Sequence, residues 1–132
     1  MDARVKAVIR IIHQELAKPL LIRALSKRVN LSPTRLRQLF KMETGLSPIQ
    51  YVKRLRLEAA ADLLRTSFLS IKEVIFQSGA RDVSNFVRDF KKVYGLTPTK
   101  YRARLLEHVP KRDQALVRIA NKTKKSSNLP TE

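Results

Sequence analysis

Phe40-Lys41-Met42-Glu43-Thr44-Gly45-Leu46-Ser47-Pro48-Ile49-Gln50-Tyr51 returns, altered, as Phe90-Lys91-Lys92-Val93-Tyr94-Gly95-Leu96-Thr97-Pro98-Thr99-Lys100-Tyr101, fifty residues later at every position. In each copy a basic helix is expected to end at the glycine, which adopts a left-handed C-cap at no steric cost. A Leu-Ser/Thr-Pro segment follows, and the proline sits where a new helix can begin with its φ already set. The chain therefore reads as two copies of one unit.

Ahead of the first copy, Asp2 can cap a helix whose apolar residues Val5, Val8, Ile9, Ile12 and Leu16 recur at three- and four-residue steps, ending at Lys18-Pro19. His13 lies beside that stripe and is given no functional role. A short helix over about 22–29 turns Ile22, Leu25 and Val29 inward and breaks at Asn30, a residue that tolerates the left-handed backbone. Ser32 caps the next helix, roughly 33–44, with Pro33 in its first turn. Helix, tight turn and second helix make a helix-turn-helix.

At 100° per residue, Leu36, Leu39 and Phe40 form the inner face of that second helix. Opposite them stand Thr34, Gln38 and Lys41, flanked by Arg35 and Arg37. Hydroxyl, amide and guanidinium groups are the types that address base edges and phosphates.

A long helix over about 47–65 follows, with Ile49, Val52, Leu55, Leu57, Ala59, Ala60, Leu63 and Leu64 as its apolar series, roughly 27 Å at 1.5 Å per residue. The second copy then repeats the plan. Ser70 caps a helix with Ile71, Val74 and Ile75 inward, Gly79 supplies the break, and Asp82 caps a helix over 83–94. Phe86, Phe90 and Val93 are its expected inner positions, and Ser84, Arg88 and Lys91 fall fifty residues beyond Thr34, Gln38 and Lys41. A last short helix, from Pro98 to about Glu107, packs Tyr101 and Leu105. The fold class expected is all-α: two helix-turn-helix subdomains (1–46 and 67–108) joined by a long linker helix (47–66), about seven helices in all. The segment 109–132 is expected to be a basic, flexible tail.

Charge agrees with the exposed faces. The 132 residues hold 28 Lys+Arg against 11 Asp+Glu, a formal net charge of +17, and such a surplus repels itself unless a polyanion neutralises it. Nucleic acid is the first partner implied and an anionic membrane the second. No cysteine is present, so disulfides and thiolate metal sites are excluded. The N-terminal stretch lacks the uninterrupted apolar core of a signal peptide, and no run approaches a membrane span. A soluble, cytoplasmic, nucleoid-associated protein is expected.

The residues so assembled resemble the DNA-binding domain of the AraC/XylS family of bacterial transcription regulators, over about 5–106. The resemblance rests on the paired helix-turn-helix units, on Tyr51-Val-Lys-Arg-Leu-Arg-Leu-Glu-Ala-Ala, and on Phe86-Val-Arg-Asp-Phe-Lys-Lys-Val-Tyr-Gly-Leu-Thr-Pro-Thr-Lys-Tyr-Arg102. It implies binding to double-stranded promoter DNA with both reading helices in neighbouring major-groove segments, contact with RNA polymerase in many members, and no cofactor. A monomer on DNA is expected, since a chain with two reading heads does not need to dimerise. No segment reads as a sensor domain, so a stand-alone member or a fragment is expected.

Carried over by position, the DNA-facing residues are Thr34, Arg37, Gln38 and Lys41 in the first unit and Val83, Ser84, Asn85 and Arg88 in the second. Arg37, Val83 and Asn85 rest on the resemblance more than on the angular argument. Three departures stand out: Ser26 and Ile75 where the family has alanine at a close helix crossing, and Ala80 where it has an aromatic after the turn glycine. Phe76 is expected to refill the space that Ala80 leaves.

Two rival readings stand beside this one. An enzyme is disfavoured because Gly45, Gly79 and Gly95 all sit at helix ends, leaving no phosphate-cradling loop, and because His13 and His108 belong to no metal-ligand motif. A non-specific architectural DNA-binding or RNA-binding protein would share the charge. RNA modules, however, stack bases on exposed aromatics, whereas Phe40, Tyr51, Phe86, Phe90 and Tyr101 all read as core.

Overall fold

Asp2, Ser32, Ser70, Asp82 and Thr97 each accept a hydrogen bond from a backbone N–H two or three residues on, and the Ser47 hydroxyl accepts one from Gln50. In the computed structural model, six of the seven helices among the described residues start at these side chains, which satisfy amides that would otherwise lack partners. The helices are α1 (Ala3–Gln14), α2 (Ile22–Arg28), α3 (Pro33–Thr44), α4 (Pro48–Thr66), α5 (Ile71–Gln77), α6 (Val83–Tyr94) and α7 (Pro98–Leu106). The structure describes residues 1–107, and no strand occurs among them. The expected basic tail lies outside the described residues.

The all-helical expectation holds, and the chain divides into two compact units at Arg56/Leu57, inside α4. In the first unit Val5, Val8 and Ile12 of α1, Leu25 of α2, Leu36, Leu39 and Phe40 of α3 and Val52 of α4 are buried together. In the second, Leu57, Ala60, Ala61 and Leu64 of α4 are buried with Val74 and Ile75 of α5 and with Phe86 and Phe90 of α6. Helices α1–α6 are thus each held by an apolar face, and Tyr101 of α7 packs against the second cluster.

The repeat extends to ring geometry. Tyr51 meets Phe40 edge-on at 5.3 Å and 84°, and Tyr101 meets Phe90 at 5.4 Å and 84°. Each unit also uses one arginine to tie down carbonyls in the last turn of its opening helix or just beyond it. Arg56 donates to Leu16 O at 3.2 Å and Lys18 O at 2.8 Å. Arg102 donates to Leu64 O at 3.3 Å, Ser67 O at 3.3 Å and Leu69 O, and its burial pulls the guanidinium pKa below the usual arginine value.

Four expectations are corrected. Helix α1 stops at Gln14, capped by Glu15, short of Lys18-Pro19. Ile49, counted in the apolar series of the long helix, is exposed. Val93 is 44% exposed, because Tyr94, 4.5 Å from Phe90 and 5.6 Å from Tyr101, takes the inner place in the last turn of α6. Phe76 does not refill the space beside Ala80: it is 65% exposed. On α5 the adjacent Val74 and Ile75 face the core, and a helix directs the following position away from that side. Ile75 is the bulky buried residue there, and Ala80 packs against the same cluster.

Candidate nucleic-acid interface

Helices α3 and α6 are each twelve residues long. Each opens on a side-chain cap and closes on a left-handed glycine, Gly45 at φ +82° and Gly95 at φ +80°. The preceding turns also pass through left-handed residues, Asn30 at φ +57° and Gly79 at φ +98°. Turn and cap fix the phase of each second helix, so the angular assignment of its faces can be read against burial.

On α3, Leu36, Leu39 and Phe40 are buried, while Thr34, Arg35, Arg37, Gln38 and Lys41 are all exposed. On α6, Phe86 and Phe90 are buried, while Val83, Ser84, Asn85, Arg88 and Lys91 are all exposed. Each unit thus carries its five selected residues on the solvent side of its own second helix. Three cations to one acidic residue occupy each of these helices: Arg35, Arg37 and Lys41 with Glu43, and Arg88, Lys91 and Lys92 with Asp89.

The two faces differ in how far their side chains are already tied. On α6 the Asp82 carboxylate accepts from Asn85 N at 3.1 Å and from Asn85 Nδ2 at 2.7 Å. Asn85 Oδ1 in turn accepts from the Arg88 guanidinium. Asp82, Asn85 and Arg88 therefore form a chain along the first two turns that orients Arg88 and engages the asparagine amide. On α3, among the described residues, the Ser32 hydroxyl makes only the backbone cap, accepting from Arg35 N at 3.1 Å.

Sequence reasoning did not find that Asn85 serves Arg88, although Asp-x-x-Asn-x-x-Arg at three-residue steps places all three on one side of a helix. It also passed over Arg81. The guanidinium of Arg81 stands 4.7 Å from the centre of the exposed Phe76 ring, and the visible signal was a second turn one residue longer than the first.

Among the described residues no group of three or more His, Cys, Asp or Glu is placed to hold a metal ion, and no helix is long and apolar enough to cross a membrane.

Two helix-turn-helix units, each with a capped second helix presenting polar and basic groups, define a DNA-binding module. A helix-turn-helix domain family model matches residues 25–104. The Msm operon regulatory protein of Streptococcus mutans is 33% identical over 100 residues, 76% of this chain and 36% of that protein. The transcriptional activator RhaS of Escherichia fergusonii is 34% identical over 101 residues, 76% of this chain and 36% of that one. The DNA-binding domain of AdpA, solved in complex with a target DNA, superposes with a TM-score of 0.77 at 25% identity, covering 83% of this chain and 99% of that domain.

The chain belongs to the AraC/XylS family of DNA-binding transcription regulators. It spans little more than a third of the length of these two curated relatives.

Proposed function

We propose that this chain is the sequence-specific module of a transcription activator, placing α3 and α6 in adjacent major-groove segments of double-stranded promoter DNA. The observation that carries the reading is the paired exposure of Thr34, Gln38 and Lys41 on one second helix and Ser84, Arg88 and Lys91 on the other, fifty residues apart throughout. Activation, contact with RNA polymerase, a cytoplasmic, nucleoid-associated location and binding as a monomer belong to the same proposal. Activation is supported by the relative named as a transcriptional activator.

The mechanism is binding without chemistry. Arg35, Arg37, Lys41 and Lys91 displace counterions along the phosphate backbone, so affinity falls steeply with salt. Thr34, Gln38, Ser84 and Arg88 address base edges. Val83 offers an apolar contact of the kind a thymine methyl accepts, and Asn85 holds Arg88 in place.

Selection of bound sequences from random duplexes at physiological salt, followed by a footprint, tests the proposal. Two short preferred blocks about one helical turn apart are expected. A single block would mean that one unit only grips the backbone, and no enrichment would make the chain a non-specific architectural binder. Within the preferred site, Gln38→Ala is expected to relax preference at one or two base pairs by roughly 1–3 kcal/mol, whereas Lys41→Ala weakens all duplexes alike. Equal losses for Gln38→Ala on preferred and random DNA would remove it from the base-reading set.

A further inference from the structure

Leu21 stands immediately before α2, where the other helices among the described residues carry a cap, and its side chain makes no hydrogen bond to the helix. The residue in the same place before α5 is Ser70, whose hydroxyl accepts from Glu73 N at 3.1 Å. Leucine is among the poorest residues at this position, so the first unit gives up stability that a serine would supply. What the chain holds there instead is a large apolar side chain, 67% exposed.

A second exposed apolar residue belongs to the same place. Leu20 and Ile22, on either side of Leu21, line a cavity of about 100 Å³ together with Leu25, Ile49, Val52 and Lys53. Its volume suits a single apolar side chain rather than a larger ligand. Ile49, in the first turn of α4, is 57% exposed, and fifty residues on, in α7, the repeat has Thr99. The corresponding groove of the second unit is lined by Ser70, Thr99 and the carboxylate-bearing Glu73. Apolar residues scattered singly over a surface call for no explanation; two at one cavity, where the sister unit is polar, mark an interaction site.

Charge selects the occupant. Residues 1–56 carry thirteen Lys and Arg against three Asp and Glu, and each of those carboxylates is engaged elsewhere: Asp2 with Arg4, Glu15 with Arg28, and Glu43 with Asp2 N. Among the described residues no Asp or Glu lines the cavity, and Lys53 stands at it. Duplex DNA supplies negative charge but no apolar side chain to fill the space. An acidic protein segment supplies both.

We propose that this α2–α4 cavity is a docking surface for a protein partner, whose acidic segment seats one leucine- or phenylalanine-sized side chain beside Leu21 and Ile49 and sets a carboxylate against Lys53. An apolar anchor in a pocket carries the affinity of such a contact, and the surrounding charge selects and steers the partner. The assignment stands independently of how α3 and α6 read DNA.

The test selects random displayed peptides on the full chain at physiological salt, with the double variant Leu21→Ser, Ile49→Thr present in solution as competitor. The competitor removes acidic peptides that answer only the overall charge. Enriched peptides are then synthesised, and their Kd is measured for wild type, the double variant and Lys53→Glu. Peptides joining Leu, Ile, Phe or Met to Asp or Glu are expected, bound about tenfold more weakly by the double variant and more weakly by Lys53→Glu. The double variant carries the second unit's own residues and gains a cap, so its Tm is expected to rise and its affinity for duplex DNA to stay unchanged.

No enrichment over the competitor would overturn the docking surface, as would peptides that bind the double variant equally well. Enriched peptides without acidic residues would overturn the chemistry assigned to the partner. A lower Tm for the double variant would mean that Leu21 and Ile49 serve folding, and a loss of duplex affinity would mean that the patch faces DNA; either would overturn the proposal.

Discussion

Phe76 and Ile75, adjacent on α5, separate what burial does from what exposure does. Ile75 is 1% exposed, so Ile75→Ala is expected to cost on the order of 2–5 kcal/mol by chemical denaturation. Phe76→Ala should cost less than about 1 kcal/mol in the same experiment, since an exposed ring leaves no cavity. A large loss at Phe76 would contradict its position in the structure. Asp2 gives a pH prediction. Hydrogen bonds from the Arg4 side chain and from Arg4 N hold its carboxyl down at about 2, against an ordinary 3.8. A carboxylate with a depressed folded-state pKa stabilises fully above its ordinary value and loses that effect as pH falls toward the depressed one. The difference in Tm between wild type and Asp2→Ala should therefore be constant above about pH 4.5 and shrink between pH 4 and pH 2. A difference that persists at pH 2 would mean that the charge is not what caps α1.

Among the helices, punctuation was the legible part. Ser32, Ser70 and Asp82 as caps, Asn30 and Gly79 as breaks, and Gly45 and Gly95 as stops all follow from residue type and spacing, and α3 and α6 begin and end where these marks predict. Less legible was anything decided by a neighbour. Val93 lies at the right angle for the core, yet Tyr94 takes its place through contacts with Phe90 and Tyr101, a competition that periodicity does not contain. Phe76 was misjudged for a similar reason: sequence suggested a vacancy beside Ala80, whereas the helix phase aims the ring elsewhere. The candidate interface was legible as a set of exposed side chains, but the chain from Asp82 through Asn85 to Arg88 needed coordinates. The glycine stops carry their own prediction. No atom lies within 4 Å of a Cβ added at Gly45 or Gly95, so only the left-handed backbone opposes substitution, and Gly45→Ala and Gly95→Ala should each cost about 1–2 kcal/mol. Equal stability of either variant in urea would mean that the helix ends differently in solution.

Across the whole chain, the dominant fact is a charge of +17 spread over two small cores. Self-repulsion on this scale opposes compaction, and a bound polyanion relieves it. Duplex DNA should raise Tm, most strongly at low salt, and an increase that does not diminish with salt would point to a non-electrostatic mode. The boundary between the units has a different consequence. Because Val52 is buried in one core and Leu57, Ala60, Ala61 and Leu64 in the other, the junction of the two copies falls within one continuous helix. A chimera made by cutting at the loop 67–70 would carry off the α4 residues that complete the second core. Exchange of reading units between related proteins should succeed only when the splice lies inside α4, at Arg56/Leu57, with the helical frame kept intact.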